Sequence, residues 1–207
     1  GIEKSIQNGA KYLIINGIDQ LYQKPYLQNF SFNLLGNHQD ALIFDLTKAD
    51  TNFALSQRAM KNHFFCAADS LTLDGVLFTG SNTEFGNGNT QSTDYAQSGK
   101  HSIKLDSNNP YGMTLQLSKV SQGESFQINY WAKSSNPKSS GLVISSAPNS
   151  FYFTESTVIE TDSAQWSIHE MNFFIPYVID NQELKIYFFN PEKDPAYFDD
   201  LEIIWFE

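Results

Sequence analysis

Ala196-Tyr197-Phe198-Asp199-Asp200-Leu201-Glu202-Ile203-Ile204 reads as a β-strand with two adjacent carboxylates at its centre. Strands alternate their side chains between two faces. On strict alternation Asp199, Leu201 and Ile203 share one face, and Phe198, Asp200 and Glu202 the other. Leu201 and Ile203 belong in a core, so Asp199 is expected to be carried toward it and Asp200 to be solvated. A buried carboxylate is costly unless a cation or several hydrogen-bond donors meet it. Alternation also parts the two acids, which argues against a catalytic pair.

Upstream of this strand, as far back as residue 71, the texture is uniform. Short alternating runs are separated by Gly, Asn, Ser and Pro. Candidate strands are Val76–Thr79, Ser102–Asp106, Gly112–Leu117, Ser125–Lys133, Gly141–Ser145, Phe151–Phe153, Ser156–Glu160, Gln165–Ile175, Glu183–Phe189 and Tyr197–Phe206. Many short strands with turn signals between them predict an all-β sandwich or barrel.

Residues 1–70 read differently, as a small α/β element. Ile2 to Asn8 is a helical candidate. Lys11–Ile15 and Ala41–Leu46 are apolar runs of the kind buried on both faces of a sheet. Ile18 to Gln23 suits a helical turn stopped before Pro25, and Tyr26 to Leu35 is apolar and ambiguous. Strand, crossover and strand predict a βαβ unit with a parallel pair. Ala49 to Ala68 reads as a linking helix, with Asp50 or Thr51 as its N-cap. An α/β piece this small lacks the core to stand alone. It is expected to dock on residues 71–207 or to be cut from a larger unit. The fold class expected overall is mainly β.

The net charge is −10 and the isoelectric point near 4.7. Residues 1–70 are electrically balanced, so the whole excess falls in 71–207. Such acidity argues against a nucleic-acid partner, which needs a basic patch, and against an anionic membrane surface. No run of eighteen apolar residues is present, so no membrane insertion by this segment is expected. The first residues lack the apolar centre of a signal peptide. The chain opens on Gly1 rather than Met, as a segment of a longer product would. Cys66, the single cysteine, excludes an internal disulfide. Between Phe64-Phe65 and Ala67-Ala68 it reads as a buried apolar residue.

Three stretches occur in a telling order: Ala96-Gln97-Ser98-Gly99-Lys100-His101-Ser102-Ile103-Lys104-Leu105, then Phe126-Gln127-Ile128-Asn129-Tyr130-Trp131-Ala132-Lys133, then Tyr197-Phe198-Asp199-Asp200-Leu201-Glu202-Ile203. Together they resemble the galactose-binding-like β-jelly-roll family, in particular its carbohydrate-binding modules. The resemblance covers residues 71–207 and none of 1–70. It implies a jelly-roll β-sandwich and an extracytoplasmic setting. It also implies a structural Ca²⁺ between first and last strands. By position Asp199 supplies a carboxylate, Glu84 is the early acidic ligand, and the Ser98-Gly99-Lys100 turn offers backbone carbonyls. Phe85 follows Glu84 here, whereas the family's aromatic precedes its acid.

Alternation also sorts the central strands. Phe126, Ile128 and Tyr130 share one face, as do Leu184, Ile186 and Phe188, and these belong in the core. The opposite faces carry Gln127, Asn129, Trp131 and Lys133, and Lys185, Tyr187 and Phe189. Aromatic rings among amides and a lysine suit a sugar, whose C–H face stacks on a ring while its hydroxyls take hydrogen bonds. If the two strands are neighbours, Trp131, Tyr187, Asn129, Gln127 and Lys185 form a ligand cleft. The alternative is that residues 1–70 or another domain cover this face and Trp131 is interface packing. Trp166 reads as core or edge, and Tyr111 and Tyr152 lie near loops, where they suit a rim.

Catalytic signatures are not evident. His38, His63, His101 and His169 are scattered without metal-binding spacing. No nucleophile elbow or phosphate loop is found, and Gly86-Asn87-Gly88-Asn89 reads as a flexible loop. The expected function is therefore non-catalytic: a carbohydrate-binding domain of an extracytoplasmic protein, its partner a glycan. The rival is a structural or interaction domain of a larger, even membrane-bound, protein, its partner a neighbouring domain. The apolar strands before residue 50 favour the rival.

Overall fold

The computed structural model describes residues 2–16, 31–38, 41–50, 59–121, 123–137, 139–146, 151–154, 156–175 and 182–207. A short helix, α1 (Ile2–Gln7), stands where the sequence places it. It leads to a three-stranded sheet of β1 (Tyr12–Asn16), β2 (Ser31–His38) and β3 (Ala41–Asp50), ordered β1-β3-β2. Both ladders are antiparallel, Ile14 opposite Ile43 and Leu34 opposite Phe44. The expected parallel βαβ unit is thus not formed. The two apolar runs expected to lie parallel are β1 and β3, and these pair directly and antiparallel. Nor is β1 buried on both faces: Ile15 is buried, but Tyr12 and Ile14 are exposed. The expected turn Ile18–Gln23 lies outside the described residues.

The linking helix over Ala49–Ala68 is also corrected. Ala49 and Asp50 end β3, residues 51–58 lie outside the described residues, and Met60–Cys66 is a strand, β4. It pairs antiparallel with the C-terminal strand, Phe64 opposite Ile203 and Cys66 opposite Leu201. Phe64 and Cys66 turn inward at period two, and an exposed ladder on the neighbouring strand decides between helix and extended chain. β4 therefore joins the sandwich from upstream of residue 71. Cys66 is buried, and burial pushes its thiol up to about 11, so it packs rather than reacts.

The remaining strands are β5 (Phe78–Thr79) and β6 (Glu84–Phe85), which pair as a small hairpin, then β7 (Gln91–Ser92), β8 (Ser102–Leu105), β9 (Tyr111–Leu117), β10 (Ser125–Lys133), β11 (Gly141–Ser146), β12 (Phe151–Phe153), β13 (Thr157–Thr161), β14 (Ser167–Phe174), β15 (Leu184–Phe189) and β16 (Ala196–Phe206). One sheet runs β13-β14-β10-β16-β8-β7, with β4 also on β16. The facing sheet runs β12-β11-β15-β9. Numbering β8 to β12 and β14 to β16 as one to eight, the sheets read 1-8-3-6 and 2-7-4-5. That order is a jelly roll, so residues 60–207 form the β-sandwich the sequence predicts.

The core lies between the sheets. Phe126, Ile128, Tyr130, Met171, Phe173, Leu201 and Ile203 face Met113, Leu115, Leu142, Ile144, Leu184, Ile186 and Phe188, all within 2 % exposure. Alternation in β10 and β15 is as expected.

β16 departs from it. Asn129 lies opposite Glu202 but Trp131 opposite Asp199, so Asp200 and Leu201 together face Tyr130 alone. This is a β-bulge, with Asp200 in the left-handed region at φ 48°. Ala196 and Phe198 point inward before the bulge, and Leu201, Ile203 and Trp205 after it. Asp199 therefore does not share a face with Leu201 and Ile203, contrary to strict alternation. It stands on the outer side of the sheet opposite Trp131, and is nonetheless only 1 % exposed.

Candidate functional site

The burial of Asp199 comes from the loop before β8. Gln97 and Ser98 donate their backbone N–H groups to its Oδ2 at 2.9 and 3.3 Å, and Asp200 donates its own to Oδ1 at 2.9 Å. Burial pushes Asp199 up to about 7; the Gln97 and Ser98 amides oppose that, and neighbouring Asp200 adds to it. Asp200 accepts from Ser98 Oγ at 2.8 Å and is likewise raised by burial. Asp69 Oδ1 accepts from Lys100 N at 2.8 Å and His101 N at 3.0 Å; the Lys100 amide leads in holding its carboxyl below the usual range. The fit is tight at Gly99: a Cβ there would lie 1.8 Å from Asp69 Oδ2, and φ is +58°.

Three carboxylates thus meet one loop, residues 97–101. Asp199 and Asp200 are not parted as expected, because the bulge lets both reach Ser98. The residues of the implied calcium set lie apart. Lys100 stands at the loop, but Glu84 is exposed on the β5–β6 hairpin, and Asp69 takes the place beside the loop. Asp69 lies three positions beyond the end of β4, and no motif in the sequence marked it. Among the described residues no three His, Cys, Asp or Glu side chains share a metal-holding position. A cation here would draw on loop carbonyls as well. Asp199 is buried and Asp200 half-buried, burial raises both, and Asp69 Oδ1 lies 3.2 Å from His101 Nδ1.

The five ligand candidates are divided by the fold. Gln127, Asn129 and Trp131 lie on the outer face of the larger sheet, half-buried. Gln127 Nε2 donates to Glu170 and Asn129 Nδ2 to Glu202, both at 3.3 Å, and His63 Nε2 lies 3.1 Å from Glu202. These amides are engaged in a ladder across strands. Tyr187 and Lys185 stand on the outer face of the four-stranded sheet, on the opposite side of the sandwich. The expected single cleft is not formed, because β10 and β15 belong to different sheets.

The four-stranded face has an aromatic surface of its own. Tyr187 lies between Val143 and Thr114, Lys185 between Ser145 and Gln116, and Phe189 between Gly141 and Tyr111. The Tyr111 ring is 6.0 Å from Tyr187 and 5.1 Å from Phe189. Tyr111 and Tyr152 are 55 % and 60 % exposed, so much of this ring surface is open. Burial raises the Tyr187 hydroxyl, and its hydrogen bond with Ser145 opposes that. A cavity of about 130 Å³ opens beside it, lined by Tyr130, Gly141, Val143, Tyr152, Ser156 and Phe189 among others. The sequence pointed to Tyr111 and Tyr152 only as rim residues; their meeting Tyr187 depends on the β9–β15 and β11–β12 pairings.

Behind the cavity Ser156 Oγ lies 3.0 Å from His169 Nδ1 and 3.3 Å from the Tyr130 hydroxyl. His169 stacks on Tyr130 at 4.9 Å, and burial lowers its pKa. Among the described residues its Nε2 is buried without a hydrogen-bond partner.

No family model matches the chain, and no curated protein does. Among solved structures it is similar to the CBM22-1 xylan-binding domain of Paenibacillus barcinonensis Xyn10C, at 12 % identity over 72 % of this chain and 96 % of that one, TM-score 0.45. It is similar to the C-terminal family 22 carbohydrate-binding module of Clostridium thermocellum Xyn10B, at 15 % identity over 72 % and 95 %, TM-score 0.45. A family 16 carbohydrate-binding module is similar at 19 % identity over 55 % and 82 %, TM-score 0.38. The jelly-roll assignment rests on the strand order rather than on these likenesses. Among the described residues no helix is long and apolar enough to cross a membrane.

Proposed function

We propose that residues 60–207 bind carbohydrate without catalysis, on the outer face of the four-stranded sheet. The observation that carries this is the open ring surface of Tyr111, Tyr187 and Tyr152 set among Thr114, Ser145, Gln116 and Lys185. Pyranose C–H faces stack on such rings, and their hydroxyls bond to such side chains. The same reading makes this an extracytoplasmic domain, the setting that the family resemblance implies. A glycan array tests it. Wild type should retain at least one glycan class, and Tyr111→Ala or Tyr187→Ala should weaken retention about tenfold or more, in line with a stacked ring's loss. Trp131→Ala, on the other sheet, should leave retention unchanged. Retention of no glycan by wild type would sink the proposal.

A neighbouring protein domain is the second reading. It is favoured by β13, exposed along its whole length, with Val158 and Ile159 at about half exposure. Such an edge invites pairing with another chain.

Calcium belongs to the proposal at loop 97–101, with Asp199 as its carboxylate and backbone carbonyls of the loop as further ligands. The ion would neutralise the buried charge and tie the loop to β16. A site formed only in the native state raises stability by about 2.7 kcal/mol at a hundred times its dissociation constant. Millimolar Ca²⁺ should therefore raise the melting temperature over that in chelator, and Asp199→Asn should reduce the rise. A melting temperature indifferent to chelator and Ca²⁺ would remove the ion.

A further inference from the structure

A groove of about 520 Å³ lies at one end of the larger sheet, away from the four-stranded face. Four elements build it. Tyr95 comes from the segment before β8, Lys133 and Ser134 from the end of β10, Thr161 and Gln165 from the β13–β14 turn, and Tyr197 from β16. The volume falls in the range of small-molecule sites. Tyr95 and Tyr197 meet edge to face at 4.9 Å, which holds Tyr95 upright while half its surface stays open. Gln165 is held at φ +68°, an uncommon conformation for a residue with a side chain, and it keeps the turn at the groove's wall.

The charge in this groove runs against the rest of the chain. The protein carries −10, yet the lining contains Lys133 and no carboxylate. Three acids border it, each with a partner: Lys104 Nζ lies 2.6 Å from Asp94, to which the Tyr197 hydroxyl also donates at 3.4 Å; Asp162 accepts from the Ala164 and Trp166 backbone N–H groups at 2.8 and 2.9 Å; and Asp194 accepts from Ser135 Oγ at 3.4 Å. Lys133 Nζ stands 5.1 Å from the Tyr95 ring centre and donates to the Ala164 carbonyl. An ammonium carries three donors. The groove therefore offers a ring face, hydroxyl and amide groups, and a cation with donors to spare.

We propose that this groove is a second saccharide subsite and that it takes a sugar bearing a carboxylate, a hexuronate residue. The sugar's C–H face lies on Tyr95, its carboxylate meets Lys133, and its hydroxyls meet Ser134, Thr161 and Gln165.

The test is NMR titration of the intact chain with methyl α-D-glucuronide and, as the neutral control, methyl α-D-glucoside. The uronide should shift the amides of Tyr95, Lys133, Ser134, Gln165 and Tyr197, with the glucoside about tenfold weaker. Raising salt from about 0.05 to about 0.5 M should weaken the uronide severalfold and leave the glucoside unmoved. Lys133→Gln should level the two probes, and Tyr95→Ala should weaken both. Silence of these amides toward the uronide, or equal affinity for the two probes in wild type, would overturn the proposal. Shifts at Tyr111 and Tyr187 report on the four-stranded face separately, so either site can fail without the other.

Discussion

Replacing Phe198 with alanine should lower the unfolding free energy by about 3–5 kcal/mol, the range for a large side chain deleted from a packed core. Phe198 is fully buried and stacks on Phe188 of the facing sheet, ring centres 4.5 Å apart. Tyr130 approaches both rings, at 5.3 Å from Phe188 and 6.4 Å from Phe198. The site is closed by two sheets whose ladders fix their backbones, so it cannot collapse around the missing ring. Phe198 is also the last inward residue before the bulge, and its anchoring sets the register in which Asp199 meets the loop. Urea unfolding followed by tryptophan fluorescence measures the loss. A cost below about 1 kcal/mol would mean that the ring is not the core residue described here.

Glu124→Ala should cost about 2–4 kcal/mol, because it strands buried donors rather than merely removing an ion pair. Glu124 is 7 % exposed. Its Oε2 accepts from the Trp205 indole N–H at 3.1 Å and from the Ser121 backbone N–H at 2.9 Å. Its Oε1 pairs with Lys61, whose ammonium also sits 4.1 Å over the Trp205 ring. The carboxylate therefore fastens β4 and β16 to the turn that starts β10. Lys61 is one-third exposed and can turn to water, so Lys61→Met should cost less than about 1 kcal/mol. Glu124→Gln, which keeps one acceptor oxygen, should fall between. Equal losses for Lys61→Met and Glu124→Ala would shift the weight from the stranded donors to the ion pair.

Much of the sandwich was legible because its signals are local. Period-two patterns in Phe126–Lys133 and Leu184–Phe189 marked inner and outer faces correctly, since each long ladder holds its strand straight. Met60–Cys66 was misread as helix, because a short run with two phenylalanines suits either period. Its extended form is decided by β16, about 140 positions away in the chain. The pairing of β1 and β2 on either side of β3 was hidden for the same reason: apolar runs report burial, not direction.

The candidate ligand residues show where alternation stops. It said truly that Trp131 and Tyr187 leave the core. It could not say that they leave it on opposite sides, because sheet membership follows from the jelly-roll strand order and not from either strand. Asp199 shows the same limit at a single residue.

By itself the sequence determined that residues 71–207 make an all-β sandwich or barrel and which side chains of the central strands fill it. Those follow from periodicity and turn chemistry, which act over a few residues. Tertiary structure alone decided that β4 completes the larger sheet and that a bulge at Asp200 brings Asp199, Asp200 and Asp69 to one loop. It also decided that the aromatic surface is built by Tyr111, Tyr187 and Phe189 from strands distant in sequence. Those depend on which backbone ladders close together, a competition among long-range pairings that no short stretch of chain can settle.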